Sequence, residues 1–311
     1  MPNIICIAGP TASGKTALAV ELAKELNGEV ISCDSMQIYR RMDIGTAKPT
    51  EEEMQGIAHH MLDVAEPDED FSVSRYCQMA TPILDDILAR GKTAIVAGGT
   101  GLYMDSLMRG NDFAPYPATG ARERLEKEAD EKGMDFMLTK LQSIDPESAA
   151  KLHLADRKRI IRALEVFEET GETITAHNQR TQAIPPKYSP LWLGLDFEPR
   201  QALYDRIDLR VSMMLEQGLV EEIKRLLSSG IPAKATSLQA IGYKEFVAAL
   251  EGNGSIEAAA DEVRKASRHY AKRQLTWFRR NPNMHWLTRH PGEEFSEILT
   301  KARQLVHQFD R

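Results

Sequence analysis

The chain has 311 residues, of which 42% are hydrophobic and 27% are charged, and its net charge is −7. This composition is ordinary for a globular protein with room for one large domain and a smaller one, and the charge excludes a wholly basic nucleic-acid binder. No apolar run approaches the roughly 20 residues of a membrane span, and Met1 to Asn3 lack the basic region of a signal peptide. The three cysteines show no metal-ligand spacing and fit a reducing compartment, so we predict a cytoplasmic protein without membrane contact.

Short apolar segments separated by helical sequence predict an α/β fold. Residues 4–8, 30–33 and 93–97 are apolar and β-prone, and each is linked to the next by sequence of helical composition. A further strand is predicted at residues 191–197. We therefore expect a parallel sheet flanked by helices, of the kind found in P-loop NTPases.

A helical block interrupts this pattern. Residues 121–179 contain no convincing strand, and linkers rich in Pro and Gly bracket them. We predict an inserted all-helical subdomain. The expected domains are the first part of the α/β core at 1–114, the helical insert at 115–188, and the rest of the core at 189–311, with one strand and then mostly helices.

The octet GPTASGKT at residues 9–16 fits the phosphate-binding motif G-x-x-x-x-G-K-[ST] at every fixed position. It stands between a predicted strand and a predicted helix, as the motif requires. Backbone N–H groups, the Lys15 charge and the Thr16 hydroxyl can bind phosphate oxygens and Mg²⁺. The motif alone does not separate a kinase, a nucleotide hydrolase and another phosphate-handling enzyme. The predicted anion-binding residues are Gly9, Pro10, Thr11, Ala12, Ser13, Gly14, Lys15 and Thr16.

Polar residues follow the second and third predicted strands. Asp34 follows the second strand, whereas the third runs into Gly98, Gly99 and Thr100 with no acid. Ligands of open parallel sheets bind beyond the carboxyl ends of the strands, so Asp34 and Thr100 are expected to face the ligand of the octet. Asp34 is placed to accept a proton or to assist Mg²⁺, and a plain helix N-cap is the alternative. Gly98 and Gly99 could instead form only a tight turn, without a role in ligand binding.

Positive charge is concentrated at residues 264–280, which hold seven Lys or Arg and no acid, with three aromatic residues interleaved. A basic helix with aromatic side chains suits RNA, and a solvated helix face is the alternative. A second basic cluster at residues 156–162 places Ile160 and Ile161 on its packing side.

Seven motifs stand in a characteristic order: the octet at 9–16, DSMQIYR at 34–40, MDIGTAK at 42–48, GGTGLY at 98–103, RIIRALE at 159–165, AIGYK at 240–244 and KRQLTWFR at 272–279. Together, over about residues 4 to 290, they resemble the tRNA dimethylallyltransferase family, also called isopentenyl-tRNA transferases. The resemblance implies transfer of a dimethylallyl group from dimethylallyl diphosphate to N6 of the adenine directly 3′ of the anticodon. It also implies Mg²⁺ and a helical insert that grips the tRNA anticodon stem-loop. We further expect a monomer.

The resemblance implies roles for individual residues. The octet would hold a diphosphate leaving group with Arg210 and Arg206, Asp34 would take the proton of the adenine amine, and Thr100 would contact the substrate. Lys158 replaces a Gln common in the family, and i,i+4 pairing with nearby Asp residues is the alternative for Arg206 and Arg210. The implied tRNA-binding residues are Asp34, Ser35, Met36, Gln37, Thr100, Arg122, Lys158, Arg159, Ile160, Ile161, Arg162, Gly242, Lys244, Arg268, Lys272, Arg273 and Arg279.

Two other functions stay open at the level of the sequence. A small-molecule or nucleotide kinase shares the octet and Mg²⁺ but has no need of the basic segment at 264–280. A nucleotide-dependent RNA-binding switch without chemistry has no need of a proton acceptor at Asp34.

Overall fold

The chain forms two compact units, described here from a computed structural model of residues 1–111 and 119–309. The core unit comprises Met1–Gly110 and Lys187–Arg311, and the helical unit comprises Asn111–Pro186. The predicted boundary between residues 114 and 115 lies outside the described residues.

A six-stranded parallel sheet forms the centre of the core unit. The strands lie in the order β3-β2-β4-β1-β5-β6, and all five pairings are parallel. β1, β2 and β5 are buried along their whole length, as expected for strands with helices on both faces. The prediction of a parallel α/β sheet is confirmed. The strands are β1 (Ile4–Ala8), β2 (Gly28–Ser32), β3 (His59–His60), β4 (Thr93–Gly98), β5 (Leu191–Phe197) and β6 (Met284–Arg289).

Four helices precede the helical unit: α1 (Lys15–Glu25), α2 (Glu51–Met54), α3 (Val73–Ala89) and α4 (Gly101–Arg109). Leu18 and Leu22 of α1 lie in one buried apolar cluster with Ile7 of β1 and Leu193 of β5. This burial fixes α1 on the sheet and thereby holds the loop that joins β1 to α1.

The helical unit contains no strand within its described residues, as predicted. Leu125, Met137, Leu141, Ile160 and Leu164 form its apolar core. Its helices are α5 (Ala121–Lys132), α6 (Met134–Ile144), α7 (Pro146–Ala149), α8 (Arg157–Thr170) and α9 (Ile174–Ala183).

The last part of the chain returns to the core unit with β5 and five helices, α10 (Arg200–Glu216), α11 (Leu219–Ser228), α12 (Lys244–Ala248), α13 (Ile256–Phe278) and α14 (Phe295–Gln308). The prediction of one strand after residue 189 was incomplete, because β6 is a second one. β6 lies at the sheet edge and buries only Met284 and Leu287 fully, so its sequence has no apolar run that marks a strand. None of the described helices is both long and apolar enough to span a membrane.

Candidate active site

The loop between β1 and α1 has the conformation of an open anion-binding loop. Ala12 and Gly14 have positive φ angles of 63° and 92°. A Cβ at Gly14 would meet no atom within 4 Å, so glycine serves there for its backbone freedom. Gly14 is the N-cap of α1 and makes no side-chain cap. The first N–H groups of α1 therefore present the positive helix end to a ligand.

Lys15 lies in a cationic cluster beside this loop. Its Nζ donates a hydrogen bond to the carbonyl oxygen of Pro10 at 2.7 Å. Burial, together with the charge of Arg210, lowers the pKa of Lys15 to about 7, against an opposing effect of Asp34. An anion beside Lys15 would stabilise the charged ammonium, so this site favours a negatively charged ligand.

We expect inorganic diphosphate to bind with proton uptake by Lys15. The pKa of Lys15 is about 7 in the free protein, and a bound anion raises it, so uptake occurs above pH 7 and affinity falls as the pH rises further. Calorimetry in two buffers with different ionisation enthalpies counts the protons. Lys15→Met lacks the titrating group and is the control; equal uptake by both proteins would contradict the assignment.

Asp34 and Thr100 follow closely after β2 and β4, and the residues on either side of Asp34 contact Thr100. The Thr100 hydroxyl oxygen accepts a hydrogen bond from the Ser35 N–H at 3.0 Å, and the Thr100 N–H donates to the carbonyl of Cys33 at 3.1 Å. Asp34 accepts the Met36 N–H on Oδ1 at 2.9 Å. Its other carboxylate oxygen has no hydrogen-bond partner among the described residues, and it remains available to a substrate.

The helix-cap alternative for Asp34 is wrong, because no helix follows β2 directly. The chain continues in turns, and α2 begins only at Glu51. The bond from the Met36 N–H closes a turn around the Asp34 side chain instead. This contact orients one oxygen and leaves the carboxylate half-buried beside the ligand loop.

Gly98, the last residue of β4, and Gly99 directly after it are required by close packing. A Cβ at Gly98 would lie 1.9 Å from the Cys33 carbonyl oxygen, and one at Gly99 would lie 2.1 Å from Nε2 of Gln274. Neither glycine has a positive φ, so turn chemistry is not the reason for them. Gln274, which sequence reasoning did not single out, thus lies against both this turn and the phosphate loop.

Arg206 of α10 contacts the loop directly, and the charge of Arg210 on the same helix acts on Lys15. The Arg206 Nε donates to the Ala12 carbonyl at 2.9 Å. Arg210 has no hydrogen bond or ion pair among the described residues, and burial lowers its pKa. The alternative of i,i+4 pairing is wrong, because Asp205 accepts from Gln201 and Asp208 pairs with Arg268.

The segment after Asp34 is held by its own side chains. The amide of Gln37 accepts from the Ser32 hydroxyl at 2.9 Å and donates to the Ala47 carbonyl at 3.1 Å. Lys48 donates to the carbonyl of Tyr39 and to two carboxylates. Roles of Ser35, Met36 and Gln37 in tRNA binding stay predictions.

A buried carboxylate anchors the far side of this segment. Glu222 of α11 accepts N–H groups of Asp43, Ile44 and Gly45 at 2.9, 2.8 and 3.2 Å, and the Tyr243 hydroxyl at 2.7 Å. Gly242 and Lys244, predicted to contact tRNA, flank Tyr243. Glu222 thus ties their loop to the segment that follows Asp34.

Glu222→Gln is expected to lower the free energy of unfolding by about 2–3 kcal/mol, because an amide cannot replace the carboxylate that accepts all four bonds. Urea denaturation measures the change. Glu221→Gln, at the exposed neighbouring position, is the matched control and should change stability little. Equal stability of the two variants would contradict this role.

The basic segment forms the second half of α13, and other elements supply acids that its sequence lacks. Arg268 pairs with Asp208 at 3.0 Å, and Arg279 pairs with Asp196 at 2.8 Å. Lys272 and Arg273 have no acidic partner among the described residues. Together with Arg280, which is exposed and likewise has no acidic partner among the described residues, they carry the charge of the segment most available to a polyanion.

In the helical unit, one buried acid holds two of the predicted tRNA-binding arginines. Glu165 accepts from Arg122 at 2.8 Å and from Arg162 at 2.9 Å. Ile160 and Ile161 are buried in the apolar core, so the prediction that these side chains contact tRNA is corrected to a packing role. Lys158 and Arg159 are exposed at the start of α8.

The phosphate loop is suited to a metal ion that is coordinated mainly by the phosphates of a bound ligand. Among the described residues no three His, Cys, Asp or Glu side chains cluster as metal ligands. Mg²⁺ commonly binds through one or two protein oxygens, waters and substrate phosphates. In the phosphate loop the buried Ser13 hydroxyl has no hydrogen-bond partner within the described part of the chain, and Thr16 lies in the first turn of α1, so both oxygens can serve such a ligand.

The chain is similar to several known proteins. The family model described as IPP transferase matches residues 37–281. A tRNA dimethylallyltransferase of Acetivibrio thermocellus is 44% identical over 310 residues, 99% of each chain. A tRNA isopentenylpyrophosphate transferase crystal structure from Bacillus halodurans matches with a TM-score of 0.74 and 42% identity over 98% of this chain and 95% of that one. A structure of a eukaryotic dimethylallyltransferase acting on tRNA matches with a TM-score of 0.83 and 30% identity over 96% of this chain and 77% of that one.

Proposed function

The chain belongs to the IPP transferase family of tRNA dimethylallyltransferases, and from this premise we propose its reaction. It transfers the dimethylallyl group of dimethylallyl diphosphate to N6 of the adenosine directly 3′ of the tRNA anticodon and releases diphosphate. We also propose a cytoplasmic location, where tRNA is found, and a monomeric state.

One observation carries the proposal: an anion site lies at the same edge of the sheet as a carboxylate, one oxygen of which has no hydrogen-bond partner in the described part of the chain. Lys15 and the N-terminus of α1 supply the anion site just after β1, and Asp34 follows β2 at the carboxyl edge of the same parallel sheet. Against the larger effect of burial, the charge of Asp34 also acts to raise the pKa of Lys15. A reaction that releases diphosphate and removes a proton from an amine needs both features together.

The proposed reaction is a displacement at the allylic carbon. The N6 lone pair forms a bond to C1 of the dimethylallyl group while the C1–O bond breaks, and that electron pair leaves with diphosphate. Lys15, Arg210 and the loop N–H groups stabilise the negative charge that develops on the leaving oxygens. The free carboxylate oxygen of Asp34 takes the N6 proton. No acid is needed after β4, because no water is activated.

Family membership implies a divalent metal, and we propose that it is Mg²⁺ bound with the diphosphate. Thr16 would supply a hydroxyl ligand, and the metal would add positive charge against the diphosphate. The chain's own cations, Lys15 and Arg210, hold the same group from the protein side.

We propose that tRNA binds through surfaces on each unit. In the core unit these are Lys272 and Arg273 of α13 with Gly242 and Lys244, and the reacting adenine must leave its stack to reach Asp34. In the helical unit the exposed cations are Lys158 and Arg159, and Arg122 and Arg162, which both pair with Glu165, are the further proposed contacts.

Replacing Lys272 and Arg273 together by Gln should weaken tRNA binding and flatten its salt dependence. Each lost phosphate contact lowers the slope of log affinity against log salt by somewhat under one unit, so the pair should lower it by roughly 1.5. Filter binding across a salt series measures this slope. Lys234→Gln, at an exposed lysine of the same unit, is the control. An unchanged slope in the double variant would mean that this helix face does not meet RNA.

A comparison of two labelled donors in separate reactions tests the reaction type. The protein is incubated with unmodified bulk tRNA and either dimethylallyl diphosphate labelled in its alkyl group or ATP labelled in its γ-phosphate. Label from the first donor alone should enter tRNA. Transfer of phosphate from ATP would favour the kinase alternative, which shares the loop but gives no reason for the cations of α13 that have no acidic partner among the described residues.

A further inference from the structure

We infer that Gln274 is a positioning residue that sets the phosphate loop against the Thr100 turn. Its side chain, only 5% exposed, accepts the Thr11 N–H at 3.0 Å and donates to the Gly99 carbonyl at 2.9 Å. A single amide therefore joins the loop that holds the leaving group to the turn that carries Thr100. The inference rests on the proposed function, in which the phosphate loop binds the diphosphate leaving group and the Thr100 turn contacts the nucleophile.

Neighbouring side chains on the same face of α13 contact the same turn. Tyr270 and Trp277 lie one helical turn before and after Gln274, on one face of the helix. Against the larger effects of burial and of Asp34, which raise the pKa of the Tyr270 hydroxyl, the Thr100 side chain lies near enough to lower it. A Cβ at Gly101 would lie 2.2 Å from Cδ1 of Trp277. Three residues of α13 thus meet three successive residues, 99–101.

The two hydrogen bonds distinguish Gln274 from an ordinary packing residue. An apolar side chain would fill the same space but would leave the Thr11 N–H and the Gly99 carbonyl unpaired. The amide instead fixes the separation of these two backbone groups. That separation decides how far the diphosphate lies from Asp34 and Thr100, and small errors in such distances have large effects on displacement rates.

Gln274→Met keeps the volume of the side chain and removes both hydrogen bonds, whereas Gln274→Glu keeps only the bond from Thr11. We expect Gln274→Met to raise the Kd of inorganic diphosphate about tenfold and to lower kcat at least tenfold, while the Kd of tRNA stays within twofold. Gln274→Glu should show the same pattern, because its second oxygen faces the Gly99 carbonyl. Thr276→Ala, at an exposed site on α13, is the control.

A double variant separates positioning from space filling. In Gly99→Ala with Gln274→Ala, the added methyl group enters the space that the amide leaves. Normal diphosphate binding and kcat in this double variant would overturn the inference. Near-normal values in the folded Gln274→Met protein would overturn it as well. Weak diphosphate binding and a low kcat in both variants support it. Diphosphate binding needs no turnover, so it tests Gln274 even if the wild-type protein fails to modify tRNA, a failure that would count against the proposed function alone.

Discussion

Asp34→Asn is expected to slow the chemical step by about 10²–10⁴-fold while tRNA and diphosphate still bind near normally. Asn keeps an oxygen that accepts the Met36 N–H, so the turn after β2 should be preserved. What is lost is the carboxylate oxygen that has no hydrogen-bond partner in residues 1–111 and 119–309 and that can take the N6 proton. The expected loss is therefore in catalysis rather than in folding.

Single-turnover rates at saturating tRNA, measured over a series of Mg²⁺ concentrations, separate the possible roles of Asp34. If Asp34 only closes the turn, Asn does so equally well and the rate stays near normal. If it mainly supports the metal, added Mg²⁺ restores the rate. Either result would rule out the role of general base. Asp68→Asn, at an exposed site of the same unit, is the control for the substitution itself.

Lys15→Ala should reduce the rate about a hundredfold or more, chiefly by weakening the hold on diphosphate. Burial disfavours the charged form of Lys15 in the free protein. A bound anion stabilises that charge, so Lys15 becomes fully charged when diphosphate binds. The same substitution removes the bond to the Pro10 carbonyl, which belongs to the loop itself.

Steady-state kinetics with varied dimethylallyl diphosphate test this expectation. The matched control is Lys24→Ala, an exposed lysine in the last turn of α1, which should leave the rate within about twofold of the wild type. Wild-type turnover in Lys15→Ala would mean that the octet at residues 9–16 does not hold the leaving group.

Local patterns in the sequence predicted the parts of the site that depend on strand ends. The octet between a strand and a helix predicted the anion loop, and the rule that ligands bind at carboxyl ends of strands predicted that Asp34 and Thr100 would face the ligand of that loop. The Thr100 hydroxyl accepts a hydrogen bond from the N–H of Ser35, the residue after Asp34, so the two strand ends lie side by side.

Contacts between distant segments could not be predicted in this way. Thr11 and Gln274 are separated by 263 positions, and no periodic pattern relates them. The same holds for the acids that pair with α13, since Asp196 and Asp208 lie far from Arg279 and Arg268 in sequence. Because residues 264–280 contain no acid, the sequence suggested more unpaired positive charge on this segment than the structure shows.

Nucleoside analysis of tRNA tests the central claim most directly. Unmodified tRNA is incubated with the protein, Mg²⁺ and dimethylallyl diphosphate, and the fragment that contains the anticodon is then analysed by mass spectrometry. The account predicts one added dimethylallyl group on N6 of the adenosine directly 3′ of the anticodon, and almost none with Asp34→Asn. Folded wild-type protein that binds tRNA and diphosphate but leaves this adenosine unmodified would contradict the proposed function.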